Sequence, residues 1–192
     1  IEPNNTVATA QLIASGVTAS GRVTADDEDL FALDAKEGEQ LVVEVVAMRL
    51  GNTMFDPYLA ILDSEGNEIA SSTGHPFSLQ DGIMSVTVPR DGRYYISIRE
   101  VDRGGNDMSY YRLHIGNFPR PIAIFPPGGK MGQSLSVTFL GDPAGTYSQT
   151  VSLPDTFDRT FALSGETERG AAPTPIPFRL SEHENAFESE PN

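Results

Sequence analysis

Oxygen-bearing side chains near the N-terminus have the types and spacing of a site for a hard cation. Glu2, Asn4 and Asn5 offer a carboxylate and two amide carbonyls, and Asp26–Asp29 adds four carboxylates. Calcium in proteins binds roughly six to eight such oxygens. Four adjacent carboxylates also repel one another, and a bound cation would relieve that repulsion. The alternative is a solvated acidic turn, with Asn4 or Asn5 capping a short helix.

Other site chemistries find little support in the sequence. The chain has no cysteine, which excludes disulfides, thiolate zinc sites and cysteine nucleophiles. It contains neither a His-Glu-x-x-His zinc motif nor a Gly-x-Ser-x-Gly nucleophile motif, and no tryptophan for stacking on sugars. His114 lies in a predicted strand, where a structural role is expected. We therefore predict no catalytic residues, no organic cofactor and no enzymatic activity.

Charge and hydropathy restrict the possible partners. The formal net charge is −14, of which residues 1–117 carry −10 and residues 118–192 carry −4. Nucleic-acid binding needs clustered Lys and Arg, so an acidic surface predicts no nucleic-acid partner. No apolar run approaches the roughly 18 residues that cross a bilayer, so membrane insertion is not expected either.

Alternating apolar residues and turn signals predict an all-β chain. In the first part of the chain the predicted strands are Val17–Val23, Leu30–Ala35, Gln40–Ala47, Tyr58–Leu62, Glu68–Ser71, Ile83–Val88, Arg93–Arg99 and Tyr110–Ile115. The nearly continuous apolar run in Gln40–Ala47 indicates a strand deep in a sheet. In Arg93–Arg99 the alternation predicts a strand with one buried face, formed by Tyr94, Ile96 and Ile98. Thr6–Ala14 fits a short helix or an extended lead-in.

A domain boundary is predicted near Asn117–Pro121, where two prolines favour an extended connector. We predict a β-sandwich over residues 1–117, a smaller immunoglobulin-like β-sandwich over 118–181, and over 182–192 a linker with the start of a next repeat. The strands predicted in the second domain are Ile122–Phe125, Ser134–Leu140, Thr146–Leu153, Thr160–Leu163 and Ile176–Leu180. Pro126–Gly129 is predicted as a turn and Gly165–Pro175 as a flexible loop.

One tripeptide recurs at the two edges of this two-domain unit. Glu2-Pro3-Asn4 reappears as Glu190-Pro191-Asn192, 188 positions later. Its position after both domains suggests the start of a second copy in a tandem array.

Taken in order, the motifs of residues 1–117 resemble the bacterial pre-peptidase C-terminal domain, which is related to the collagen-binding domains of bacterial collagenases. The motifs are Glu2-Pro3-Asn4-Asn5, Gly21-Arg22-Val23, Asp27-Glu28-Asp29-Leu30-Phe31, Asp56–Asp63, Asp91–Ile96 and Ser109–Leu113. The resemblance implies a jelly-roll-like β-sandwich, exported, and usually attached to secreted peptidases or large surface proteins. Residues 118–187 resemble immunoglobulin-like domains of the TIG/IPT type, through Pro126–Gln133 and Val137–Gly141.

The resemblance also implies a ligand set for calcium. In the related collagen-binding domains, calcium joins an N-terminal acidic segment to an acidic loop. Glu2, Asn4 and Asn5 match that segment, and Asp27 and Asp29 match the loop. The family pattern often has another acidic residue two positions before the glutamate, as Glu188 stands before Glu190 in the C-terminal copy.

Two functions are compatible with these features. The first is a non-catalytic structural or adhesive module of a larger secreted or surface protein, stabilised by calcium, with the neighbouring domains of the same polypeptide as partners. The second is an accessory domain that targets an attached peptidase or other enzyme to collagen-like protein or polysaccharide. Aromatic residues of late strands would form its binding patch; they are Tyr94, Tyr95, Tyr110 and Tyr111. An esterase or glycosidase on a sandwich scaffold is a third, weaker hypothesis.

Overall fold

The structure is a computed structural model that describes residues 2–75, 78 and 80–189. The chain divides into two compact units, Ile1–Asn117 and Phe118–Asn192. In the described residues of both units the regular structure is β, apart from one 3-10 turn at Met48–Leu50, which confirms the all-β prediction. Within the described part of the chain, no helix combines the length and apolar character needed to cross a bilayer.

The described residues of the first unit form nine strands. They are β1 (Gln11–Leu12), β2 (Val17–Arg22), β3 (Glu28–Ala35), β4 (Gln40–Val46), β5 (Pro57–Leu62), β6 (Glu68–Ser72), β7 (Ile83–Thr87), β8 (Gly92–Glu100) and β9 (Tyr110–Gly116). All eight strands predicted here are present, with ends shifted by at most two residues. Thr6–Ala14 is not helical: the Thr9 amide donates to the Thr6 carbonyl in a turn, and β1 follows.

Two sheets pack face to face around the core of this unit. One has the order β1-β3-β8-β5-β6 and the other β2-β9-β4-β7, and every pairing is antiparallel except that of β1 with β3. Alternate residues of both sheets point inward, so Tyr94, Ile96 and Ile98 of β8 pack with Val43 and Val45 of β4. This interface is the β-sandwich predicted from alternation.

The outer face of β8 is more buried than its sequence predicts. Ser97 is 2% exposed and Tyr95 is 9% exposed, although alternation places both on the side away from the core. A second apolar cluster forms there, in which Tyr95 packs with Leu30 and Ala32 of β3, and Ala10 of the N-terminal segment covers it. The expectation of one solvated face was therefore wrong, because β8 is central in its sheet and another part of the chain lies across it.

A buried carboxylate organises the turn that follows β4. Asp81 accepts hydrogen bonds from the backbone amides of Ala47 (3.0 Å), Met48 (2.7 Å) and Arg49 (3.3 Å). The Arg49 guanidinium donates to Asp81 through Nε at 2.6 Å and to Glu44 at 2.8 Å. Both carboxylate side chains are fully buried. Asp81 thus satisfies three backbone donors of this turn and shares the Arg49 guanidinium with Glu44.

The second unit is smaller and has its own core. Its strands are β10 (Ala123–Phe125), β11 (Gly128–Lys130), β12 (Ser134–Leu140), β13 (Tyr147–Ser152), β14 (Ala162–Leu163), β15 (Glu166–Thr167), β16 (Gly170–Ala171), β17 (Ile176–Pro177) and β18 (Arg179–Ser181). Strands β10-β12-β13 form one sheet, while β11 pairs with β18, β14 with β17 and β15 with β16. Val137, Phe139 and Phe178 are almost completely buried in the core.

Three expectations for the second unit need correction. Gly128 and Gly129 lie in β11 rather than in a turn, because this segment pairs in parallel with β18. The expected flexible loop Gly165–Pro175 contains the β15–β16 hairpin. The expected strand Ile176–Leu180 is split into β17 and β18, which belong to different sheets. The Glu190-Pro191-Asn192 copy lies outside the described residues.

Candidate metal site

The loop before β3 is a turn closed by Asp27. The Asp27 amide donates to the Thr24 carbonyl at 3.3 Å, and Asp27 Oδ2 accepts from the Thr24 amide at the same distance. Asp27 Oδ1 also accepts from the Glu28 amide at 3.0 Å. Asp26 adopts a positive φ of 60°, and its amide donates to the Arg103 carbonyl. These bonds fix the position of the Asp27 carboxylate.

The N-terminal segment is attached to β3 beside this turn. The Leu30 amide donates to the Asn4 carbonyl at 3.0 Å, and Asn4 is only 2% exposed. The Asn5 side chain donates from Nδ2 to Asp27 Oδ1 at 2.9 Å and accepts from the Asn4 amide at 3.1 Å. Asn5 therefore orients Asp27 and closes its own turn.

Asp29 is the buried carboxylate of the group, with 3% of its surface exposed. It accepts a hydrogen bond from the Tyr111 hydroxyl at 2.5 Å and one from the Asn4 side chain. Burial raises the pKa of Asp29 to about 6, assisted by the negative charges of Asp27 and Glu2, while the two hydrogen bonds act in the opposite direction. Burial also raises the pKa of Tyr111, so the phenol stays protonated and serves as a donor.

Three carboxylates meet where these segments join. Oxygens of Glu2, Asp27 and Asp29 all lie within 4.8 Å of one another. Asn4 Oδ1 is buried nearby and has no hydrogen-bond partner among the described residues. Carboxylate and amide oxygens in this number suit calcium better than zinc, for which nitrogen or sulfur ligands are usual. The arrangement can hold a divalent cation between the N-terminal segment and β3.

The other two acids of the loop do not join this group. Glu28 accepts from the Ser97 hydroxyl at 2.6 Å and forms an ion pair with Arg103 at 3.5 Å. Only Asp27 and Asp29, two positions apart, have their carboxylates in the cluster with Glu2. Asp27 and Asp29 thus lie in the cluster, whereas Glu28 is bound outside it by Ser97 and Arg103.

Sequence reasoning gave Tyr111 no role at this site, and the signal for one was Gly21. Gly21 lies directly opposite Tyr111 in the β2–β9 pairing. A Cβ at Gly21 would overlap the Tyr111 ring and hydroxyl, so glycine leaves the space in which the ring lies flat on β2. That placement puts the hydroxyl against Asp29.

Replacing Gly21 with alanine is expected to displace Tyr111 and weaken cation binding at the cluster. The added methyl overlaps a ring that is 1% exposed, so the first unit should also lose about 1–3 kcal/mol of stability. Calorimetric titration and thermal unfolding measure the two effects. Gly92→Ala is the control, since a Cβ there meets nothing within 4 Å. Unchanged affinity and stability in Gly21→Ala would show that Tyr111 does not depend on this gap.

The aromatic patch expected for the accessory-domain hypothesis is not present. Tyr94 and Tyr111 are each 1% exposed and Tyr95 is 9% exposed, while Tyr110 is 43% exposed. Strand alternation turns Tyr94 and Tyr111 into the core, and the second cluster buries Tyr95. Only Tyr110 of the four is available at the surface.

No protein-family model matches the chain, and no curated protein matches it. Several solved structures resemble its fold over about half of the chain. The pre-peptidase C-terminal domain of a collagenase from Bacillus anthracis has 15% identity and a TM-score of 0.43, covering 55% of this chain and 93% of that domain. It belongs to the family that the motifs of residues 1–117 resemble.

Two periplasmic inhibitors of g-type lysozyme show a weaker similarity. The protein from Aeromonas hydrophila has 15% identity and a TM-score of 0.35, covering 55% of this chain and 98% of the inhibitor. The protein from Salmonella Typhimurium has 14% identity and a TM-score of 0.35, covering 56% and 99% respectively. At such identities and TM-scores, none of the three similarities supports an argument about function.

Proposed function

We propose that this chain is a non-catalytic structural or adhesive module of a larger secreted or surface bacterial protein, stabilised by calcium and repeated in tandem. The carboxylate cluster of Glu2, Asp27 and Asp29 is the observation that carries the proposal. It joins the N-terminal segment to a strand of the sandwich. A cation bound there would fix the start of the module to its body.

The surroundings of the cluster support a cation rather than a merely acidic surface. Asp29 is buried together with Asn4, and burying a carboxylate without a compensating charge is costly. Asn4 contributes a buried carbonyl oxygen that none of the described residues satisfies. A calcium ion would both neutralise the carboxylates and accept that oxygen as a ligand.

Stabilisation by a bound cation suits an exported module without disulfides. The chain has no cysteine and many loops, so a ligand that binds only the folded state is a direct route to stability. The acidic net charge of −14 is compatible with an extracellular, soluble setting. The accessory-domain hypothesis loses most of its aromatic patch, since Tyr110 is the exposed one of its four tyrosines.

Calcium titrated into chelator-treated protein is expected to bind and to raise the melting temperature of the first unit. At a free concentration 100 times the Kd, the gain should be about 3 kcal/mol. Calorimetry gives the affinity, and thermal unfolding gives the stabilisation. Glu2→Gln and Asp27→Asn should abolish or greatly weaken both effects, because each removes a charge from the cluster.

Asp158→Asn is the matched control for the titration. Asp158 is an exposed acid of the second unit whose carboxylate accepts from Thr160, so its loss should leave calcium binding unchanged. Absence of heat and of any thermal shift in the parent protein would overturn the proposed calcium role. An equal effect of Asp158→Asn would point to general charge screening instead of a site.

A further inference from the structure

The C-terminal segment, residues 182–189, is attached to the second unit rather than free. The Met131 amide donates to the Ser181 carbonyl at 2.9 Å, just before the segment begins. Within it, Glu184 pairs with Lys130 at 3.1 Å. Asn185 Nδ2 donates to the Gly128 carbonyl at 2.7 Å. The segment thus follows β11 instead of leaving the unit as the expected linker.

The last of these contacts is aromatic and leaves apolar surface uncovered. The rings of Phe187 and Phe125 have centroids 5.8 Å apart at an interplanar angle of 50°. Phe125 is 56% exposed and Phe187 is 57% exposed, and Leu140 on the neighbouring strand is 37% exposed. The Phe125–Phe187 pair therefore holds the segment against the second unit, and it also leaves exposed apolar surface.

The number of residues between Phe187 and the repeated tripeptide limits how far a following copy can lie from the Phe125–Phe187 pair. Asn192 corresponds to Asn4, whose carbonyl is bonded to β3 in the first unit. Five peptide steps separate Phe187 from Asn192, so the two attachment points lie at most about 17 Å apart. Compact domains of about 100 residues have radii of gyration near 13 Å, so this reach brings the two bodies into contact.

Two exposed apolar side chains lie on the first unit near its carboxylate cluster. Met108 is 52% exposed and Tyr110 is 43% exposed. They lie at the cluster end of the sandwich, since the Val23 amide donates to the Ser109 carbonyl at 3.0 Å. Arg22, which pairs with Asp107 at 3.3 Å, borders the pocket formed by the acidic loop.

We propose that, in a tandem array, the Phe125–Phe187 pair of one copy packs against Met108 and Tyr110 of the next copy. The inference rests on the proposed function, because it requires successive copies joined through Glu-Pro-Asn. Cation binding by the second copy's Glu2 segment fixes the end of the short connection to the body of that copy. The apolar contact then sets the orientation of one copy relative to the next. The junction between successive copies then becomes rigid.

The test uses a chain in which two copies share one Glu-Pro-Asn, so that residues 190–192 of the first serve as residues 2–4 of the second. Since the protein has no cysteine, spin labels can be attached through Ser152→Cys in the first copy and Ser71→Cys in the second. Pulsed electron spin resonance should show one narrow distance in calcium. In chelator the distribution of distances between the two labels should broaden. The five-residue connection is then free, with an r.m.s. end-to-end length of about 12 Å, and the two units can reorient.

Serine substitutions on either side of the junction should remove the narrow distance even in calcium. The first variant carries Phe125→Ser in the first copy, and the second carries Met108→Ser with Tyr110→Ser in the second copy. Each changes exposed side chains, so the melting temperature of the units should stay within a few degrees of the parent. We expect the distance distribution between the labels to broaden while both units stay folded.

Two substitutions of exposed apolar residues elsewhere serve as controls. Met54 is 82% exposed and Phe157 is 60% exposed, and their replacement by serine should leave the distance narrow. The contact is overturned if Phe125→Ser is as narrow as the parent, or if the calcium-loaded parent is already broad. If calorimetry detects no calcium while Phe125→Ser still broadens a narrow junction, the metal role fails and the apolar contact stands.

Discussion

Replacing Asp29 with asparagine is expected to make the metal-free protein more stable at pH 7.5 while removing its response to calcium. Asp29 is buried and its pKa is raised to about 6, chiefly because burial disfavours the charged form. Asparagine has nearly the same shape and can still accept the Tyr111 hydrogen bond through its carbonyl oxygen. The variant therefore keeps the local structure, loses a buried charge and loses a cation ligand.

The pH dependence follows from the direction of the pKa change. An unfolded aspartate releases its proton near pH 4, whereas folded Asp29 holds its proton until about pH 6. Between these values the folded state binds more protons, so the stability contributed by Asp29 is lost as pH rises through this window. The loss amounts to roughly 2–3 kcal/mol, and the asparagine variant should not show it.

Thermal unfolding in chelator from pH 4 to pH 8, repeated with calcium at pH 7.5, measures both effects. Asp34→Asn is the control on the same strand, because the Arg93 guanidinium holds the pKa of that exposed carboxyl below its usual value. It should respond to calcium like the parent protein and gain no stability at pH 7.5. A metal-free Asp29→Asn protein that is no more stable than the parent at pH 7.5 would contradict the cost assigned to the buried Asp29 charge.

Replacing Asp81 with alanine is expected to destabilise the first unit by about 3–5 kcal/mol, because three backbone amides lose their acceptor. The substitution strips Arg49 of a buried partner at 2.6 Å and deprives three backbone amides of their acceptor. Water cannot readily replace that acceptor, because the Asp81 side chain is fully buried. Arg49 keeps its ion pair with Glu44 in the variant, so the cost comes mainly from the backbone amides that lose their buried acceptor.

Urea unfolding of the full chain, with the transition of each unit followed separately, tests this expectation. Asp34→Ala is the comparison, because it removes an exposed pair in which Arg93 donates twice, at 2.9 and 3.2 Å. That pair should contribute little to stability, because solvent and salt screen its charges. The transition of the second unit should not move in either variant. Equal losses in Asp81→Ala and Asp34→Ala would mean that the turn after β4 does not depend on its carboxylate.

The carboxylate cluster was only partly readable from the sequence. The residue types indicated an oxygen-rich N-terminal segment and the acidic loop Asp26–Asp29, and the family resemblance then implied Glu2, Asn4, Asn5, Asp27 and Asp29 as ligands. Nothing local distinguished Asp29 as the buried member or Asn5 as a residue that orients Asp27. Both differences depend on distant contacts: Tyr111 lies 82 positions from Asp29, and Asn5 lies 22 positions from Asp27. Whether the cluster holds calcium stays a prediction.

The sequence by itself determined the strands and the inward face of the sandwich, as in β4 and β8. Alternation is a local property: side chains of a strand point to opposite sides whatever lies beyond them. The tertiary structure decided what covers the other face, and so buried Tyr95 and Ser97. It also made Gly128 and Gly129 a strand by supplying β18 as a partner from about 50 residues away. Pairing and burial depend on chain segments distant in sequence, and residue types within a short window do not specify them.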